Sequence, residues 1–266
     1  MKKVFIIAAT AMIALSCAQN KAQKVLVLYY SQNGATKAVA QEIASKLGAD
    51  MEEIQATNPY DGDFGQTIER CQKERAEGFL PEIQPLKANL EDYDVIFLGY
   101  PIWFGTYAPP VVTLVNEVDF SGKKLVPFCT FGSGGLDSST RELKAKQPKA
   151  EILPGYGVRT ARQEAIPAEV DHFLKAGGFL EGEYEVYPEF GAMQAASAEE
   201  SAIFDAAVNG YPMLNAKAKN VASRPVTGGT EYLFEADDQT SPEPRTMKVY
   251  VLALEGQAPV FTQVLR

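Results

Sequence analysis

One unit recurs along this chain and limits what it can fold into. An apolar run that does not alternate is followed by a loop of turn residues, then by apolar residues at helical spacing. The first copy is Val25-Leu26-Val27-Leu28-Tyr29-Tyr30, β-branched and aromatic throughout. Such a run reads as a strand buried on both faces, which is the situation in a parallel sheet. Ser31 to Thr36 is the loop, and Ala38, Val39, Ile43 and Leu47 continue at helical spacing until Gly48 supplies a stop. The unit returns as a strand over residues 93–98, a loop over 99–107 and, after Pro109-Pro110, a helix over 111–118. It returns again as a strand over 125–130, a glycine-rich loop over 131–135 and a helix over 138–146. A strand over 151–158 and a helix over 168–176 close the series, and residues 51–55 supply a short second strand. Strands alternating with helices predict an α/β fold with a doubly wound, mostly parallel sheet. Residues 56–90 form an excursion too long to lack structure of its own, with a helix expected over 64–77.

The pattern changes after Gly177-Gly178. A helix is expected from Ser197, with Glu199 and Glu200 in its first turn and Ile203, Phe204, Ala207 and Val208 on one face. Antiparallel strands are expected over 217–225, 231–236, 247–254 and 260–265, separated by turn signals at Gly228-Gly229, 241–244 and 255–257. Residues 24–180 therefore read as one domain and 181–266 as a small α+β domain. The second weakly resembles the cystatin-like fold, since Arg224-Pro225-Val226-Thr227-Gly228 falls where cystatins carry a Gln-x-Val-x-Gly hairpin. Arginine replaces the glutamine, which argues against inhibitory activity, and an unrelated α+β cap reads equally well.

Composition removes several function classes. The formal charge of −9 repels phosphate backbones, so nucleic acid is not an expected partner. His172 is the single histidine, so no His-rich metal cage can form. Cys17, Cys71 and Cys129 are too few for a disulfide scaffold or a Cys₄ zinc site. Asp171 precedes His172, but neighbours on a helix do not face each other, so His172 reads as a surface or half-buried residue. Cys129 falls on a buried strand, where a thiol acts as a small apolar group. Glu69, Arg70, Lys73, Glu74, Arg75 and Glu77 read as a solvated, charge-laced helix.

In a doubly wound sheet, ligands bind beyond the carboxyl ends of the strands, and three loops lie there. Ser31, Gln32, Asn33, Gly34, Ala35 and Thr36 offer hydroxyls, side-chain amides and backbone N–H groups at the start of a helix. Helix N-termini carry roughly half a positive charge, which suits a phosphate. Neither the GxxxxGK[ST] nor the GxGxxG spacing is present, and an ordinary polar turn is the alternative. The second loop, Tyr100-Pro101-Ile102-Trp103-Phe104-Gly105-Thr106-Tyr107, holds the only tryptophan among other aromatics. Aromatic faces there suit a flat conjugated ring, unless Trp103 simply caps the sheet. The third loop, Thr130-Phe131-Gly132-Ser133-Gly134-Gly135, lets backbone approach a ligand because glycine has no Cβ.

Together these three loops resemble those of the flavodoxin-like family, which binds flavin mononucleotide (FMN); the likeness spans roughly residues 24–177. It implies a five-stranded sheet of order 2-1-3-4-5. It further implies that Ser31, Gln32, Asn33, Gly34, Ala35 and Thr36 hold the FMN phosphate, that Pro101, Ile102, Trp103 and Phe104 line one side of the isoalloxazine ring, and that Thr130, Phe131, Gly132 and Gly135 lie near its pyrimidine edge. Asn33 and Ala35 depart from the threonine and polar residue that many members carry. The excursion at 56–90 exceeds a minimal flavodoxin.

Residues 1–16 read as a signal peptide. Lys2 and Lys3 precede an apolar run over 4–15 broken only by Thr10, too short to cross a bilayer. Ala14-Leu15-Ser16-Cys17 resembles the lipobox of bacterial lipoproteins, which implies a lipid on Cys17, a polar tether over 17–23 and an envelope location facing the periplasm. Ala18 follows the cysteine where an aspartate would favour the inner membrane, so the outer membrane is expected. A plain secretory signal with an incidental cysteine is the alternative. The expected function is an exported electron carrier using FMN. The alternatives are an FMN-dependent reductase of quinones or other small acceptors, and a non-catalytic envelope binding module on the same scaffold.

Overall fold

The computed structural model describes residues 23–240 and 243–266; the expected signal peptide and Cys17 lie outside them. Strand β1 (Val25–Tyr29) leads into α1 (Ala35–Leu47), β2 (Asp50–Glu53) and, within the excursion, α2 (Phe64–Glu77). Then come β3 (Val95–Trp103), β4 (Thr106–Tyr107), α3 (Pro109–Glu117), β5 (Lys124–Phe131) and α4 (Leu136–Lys146). Strands β6 (Glu151–Ile152) and β7 (Tyr156–Arg159) and helix α5 (Ile166–Ala176) complete the first domain.

The sheet order is β2-β1-β3-β5-β6, with β7 also paired to β5 and every one of these pairings parallel. Because β4 only folds back on β3, this is the expected 2-1-3-4-5 order, with β6 and β7 sharing the fifth position. The unbroken apolar run of β1 is explained by its two covers. Leu26 and Leu28 pack toward α3 and α4, with Val111, Leu114 and Leu143, while Val27 and Tyr29 pack toward α1 and α5, with Val39, Ile43, Val170 and Leu174.

Two expectations are corrected. Residues 99–107 are not all loop: β3 runs on to Trp103 and turns through Phe104-Gly105 into β4, pairing Ile102 with Tyr107 and Trp103 with Thr106. The strand expected over 151–158 is broken between β6 and β7. Leu125 and Phe128 on β5 pair with Ile152 and Tyr156, so the fifth strand carries one extra residue. Pro154, without an N–H, and Gly155 fill the break. A Cβ on Gly155 would stand 2.4 Å from the Pro127 carbonyl oxygen.

The second domain is a sheet of order β12-β11-β10-β9-β8, formed by β8 (Gln194–Ala195), β9 (Ala216–Val226), β10 (Gly229–Asp238), β11 (Thr246–Leu254) and β12 (Val260–Leu265). Its pairings are antiparallel. Helix α6 (Ala198–Val208) covers one face through Phe204, packed with Val221, Phe234, Val249 and Phe261. Ser197 starts the helix as a capping box with Glu200.

Candidate functional site

Gly34, at φ +88°, turns the chain from β1 into α1 in a conformation that favours glycine. Around it the loop satisfies its own donors. Ser31 Oγ accepts from the N–H groups of Gly34 and Lys37, both at 3.2 Å, and Asn33 Oδ1 accepts from Ala35 N–H at 3.2 Å. These weak, neutral acceptors stand where an anion would take over N–H groups at a helix N-terminus. The Lys37 ammonium turns away to Glu53 Oε2 at 3.3 Å, so the cradle itself stays uncharged.

The other two members of the first loop face elsewhere. Gln32 donates from Nε2 to Thr67 Oγ1 at 2.7 Å and to the Tyr60 carbonyl at 3.3 Å, tying the loop to the excursion. Thr36 is buried, its Oγ1 lying 2.8 Å from that of Thr130, also buried, at the end of β5. One hydroxyl donates to the other, which leaves one proton for a further acceptor.

Pro101, Ile102 and Trp103 are half-buried at the end of β3. The Trp103 ring stands edge-on to Tyr30 at 6.0 Å and to Tyr60 at 5.3 Å. Phe104 is 47% exposed and has φ +52°, the single non-glycine residue with positive φ among the described residues. Its ring lies 4.9 Å from the guanidinium carbon of Arg75. In the third loop, Phe131 is buried at the end of β5. Gly135 has φ +127°, and a Cβ on it would come within 2.6 Å of Ile102 Cγ2. Ser138 Oγ donates to the Gly105 carbonyl at 2.7 Å, fixing the tip of the second loop to α4. The three loops therefore converge, linked by Thr36–Thr130, Tyr30–Trp103 and Ile102–Gly135.

The excursion supplies a wall that the sequence reading missed. Tyr60 is buried, donates to Glu74 Oε2 at 2.6 Å and lies under the Arg70 guanidinium at 3.7 Å. Burial first, then Glu74, pushes the Tyr60 hydroxyl up. Glu74 is buried rather than solvated, because it also accepts from Arg70 Nε at 2.8 Å; this corrects the reading of α2 as uniformly solvated. The i,i+4 spacing of Arg70 and Glu74 was visible, but nothing local to Tyr60 marked it. His172 sits apart from the loops on α5, half-buried, its Nε2 2.8 Å from the Glu185 carbonyl oxygen. Cys71 and Cys129 are buried free thiols. No cluster of His, Cys, Asp and Glu suited to a metal occurs among the described residues.

An uncharged N–H cradle at a helix N-terminus, an aromatic second loop and a glycine-built third loop, all at the carboxyl ends of a 2-1-3-4-5 sheet, define a nucleotide-type cofactor site in a flavodoxin-like fold. The chain belongs to the flavodoxin family, whose model matches residues 24–171. Among solved structures it is similar to a protein of Bacteroides eggerthii described as a flavoprotein, at 29% identity and TM-score 0.50, over 59% of this chain and 98% of that one. A second protein so described, from Bacteroides uniformis, is 27% identical with TM-score 0.50, over 56% and 98%. A flavoprotein of Lactobacillus acidophilus in complex with FMN is 22% identical with TM-score 0.47, over 56% and 99%. No curated protein shows significant similarity. The family match ends before the second domain begins.

Proposed function

We propose that this protein is an FMN-binding flavodoxin that carries electrons at the bacterial envelope, anchored by lipid on Cys17. The observation that carries the cofactor reading is the convergence of the three loops: Thr36 meets Thr130, Tyr30 meets Trp103, and Gly135 lies so close to Ile102 that a Cβ there would clash. FMN, when bound, supplies the redox chemistry through its isoalloxazine ring; the protein supplies binding, orientation and electrostatics. Ser31, Asn33, Gly34 and Ala35 would hold the phosphate through neutral donors and helix N-terminal amides, with Thr36 and Gln32 bracing them. Pro101, Ile102, Trp103 and Phe104 would line one side of the ring, and Thr130, Phe131, Gly132 and Gly135 its pyrimidine edge. No histidine or free carboxylate is contributed by these loops, which favours electron transfer over proton-coupled reduction of a bound substrate.

Purified protein is expected to be yellow. It should bind FMN far better than riboflavin, and FMN should quench the fluorescence of Trp103, which recovers when the cofactor is removed. Equal affinity for FMN and riboflavin would reduce the first loop to an ordinary turn.

The anchor reading rests on the sequence Leu15-Ser16-Cys17 after an apolar run. One acyl chain binds a bilayer only marginally, whereas the several chains of a lipoprotein hold essentially permanently. Metabolic labelling with a fatty-acid probe should mark the wild type and not Cys17→Ala, and fractionation should place the label in the outer membrane. An unlabelled, soluble wild type leaves only a plain secretory signal.

A further inference from the structure

The third loop is not free on its outer side: the second domain sits on it. The backbone N–H of Val264, on β12, donates to the Ser133 carbonyl. A Cβ on Gly134 would fall 2.2 Å from the Val264 carbonyl oxygen, and one on Gly132 would fall 2.6 Å from the Tyr211 hydroxyl, so both glycines exist at points of close domain contact. Arg266 adds a long contact from Nη1 to Ser133 Oγ at 3.4 Å.

Arg159, the last residue of β7, stands at the centre of this junction. It is buried, and among the described residues no carboxylate forms an ion pair with it. Its Nε donates to the Gly132 carbonyl at 2.8 Å and its Nη1 to the Phe261 carbonyl at 3.0 Å. The guanidinium lies 3.4 Å from the Phe261 ring centroid and 5.2 Å from that of Tyr211. A buried arginine without a counter-ion is costly unless its donors and its π-faces are used. Here one fork spans a loop of the first domain and a strand of the second, through carbonyls that only a planar, rigid donor pair reaches together.

We propose that Arg159 is a positioning residue for the cofactor site: it fastens the third loop to β12, so that the second domain is a structural part of the flavin pocket rather than an appendage. This rests on the reading of the three loops as an FMN site. The contribution would be felt at the ring, where the third loop lies, and not at the phosphate, which the first loop holds. The same contact occupies one flank of the third loop with the protein's own chain.

The test uses the full chain with Arg159→Gln, Arg159→Lys and, independently, Gly134→Ala, which pushes β12 away without touching Arg159. Hydrogen exchange of the Val264 amide, which donates to the Ser133 carbonyl, should be slow in the wild type without cofactor and fast in Arg159→Gln and Gly134→Ala. In Arg159→Gln the Kd for FMN should rise roughly ten-fold, the scale of a lost charge-assisted hydrogen bond, and in Gly134→Ala it should rise as the displaced β12 releases the loop. The ratio of riboflavin to FMN Kd, which reads the first loop, should stay at the wild-type value. A domain that had merely lost its fold would lose that ratio too. Arg159→Lys keeps the charge without the fork and should recover only part of the affinity. Wild-type protein that binds FMN, with variants of unchanged Kd and unchanged exchange, overturns the positioning role alone. Wild-type protein that binds no FMN overturns the cofactor reading and the positioning role together.

Discussion

The hydroxyls of Thr36 and Thr130 lie 2.8 Å apart in the protein interior, joining the first turn of α1 to the end of β5. This bond braces the first loop against the strand that launches the third. Removing one partner leaves the other buried and unpaired, which costs about 1–3 kcal/mol, whereas removing both at once is close to neutral. Thr36→Val and Thr130→Val should therefore each lower the urea midpoint, and the double variant should be more stable than the sum of the two predicts. Additive effects would mean that the hydroxyls do not pair. FMN affinity should fall in Thr36→Val through the displaced loop and return in Thr36→Ser.

Phe104 sits where its side chain is a poor choice for the backbone. The turn Phe104-Gly105 joins two paired strands with positive φ at both residues, +52° and +86°, a geometry that suits Asn-Gly. A bulky residue there costs about 1–2 kcal/mol, and an exposed contact with Arg75 recovers only about half of one. Phe104→Asn should raise the thermal midpoint while raising the Kd for FMN by about two- to ten-fold, the worth of one aromatic contact. A variant that is more stable and binds FMN as before would remove Phe104 from the ring site.

Much of this arrangement was legible because parallel strands buried on both faces leave an unmistakable mark. Val25 to Tyr30 carries no polar residue for a reason: each successive side chain meets a different helix layer. What could not be read was set by long-range contact. The extension of β3 to Trp103 depends on β4 returning to pair with it, and the break after Ile152 depends on Pro127 opposite Gly155. Tyr60 becomes a wall of the site only because Gln32, Arg70 and Glu74 meet it from other elements. Arg159 falls just past the strand expected over 151–158, where nothing local marks it. Its role arises where β12, about a hundred residues later in sequence, arrives at the third loop.

Burial favours the neutral forms of the core's thiols and phenols, and this fixes how the protein responds to alkali. Cys71 is pushed up to about 11 by burial and then by Glu74. Burial also raises the Cys129 thiol and the Tyr100 and Tyr156 hydroxyls above their ordinary range. A group raised in the folded state stabilises fully below its unfolded pKa and loses that contribution as the pH climbs toward its folded value. Unfolded cysteine ionises near pH 8.5 and tyrosine near pH 10. Stability should thus be flat to about pH 8, decline from about pH 9 and steepen above about pH 10, because the unfolded chain releases protons that the folded one retains. Urea midpoints at pH values across that range measure it directly. Cys71→Ala should delay the onset. Iodoacetamide at about pH 8 should leave Cys71 and Cys129 unmodified in native protein and modify both in urea, as peptide mapping would show. A urea midpoint at about pH 10.5 equal to that at pH 7, or rapid native alkylation of either thiol, would contradict the burial on which this rests.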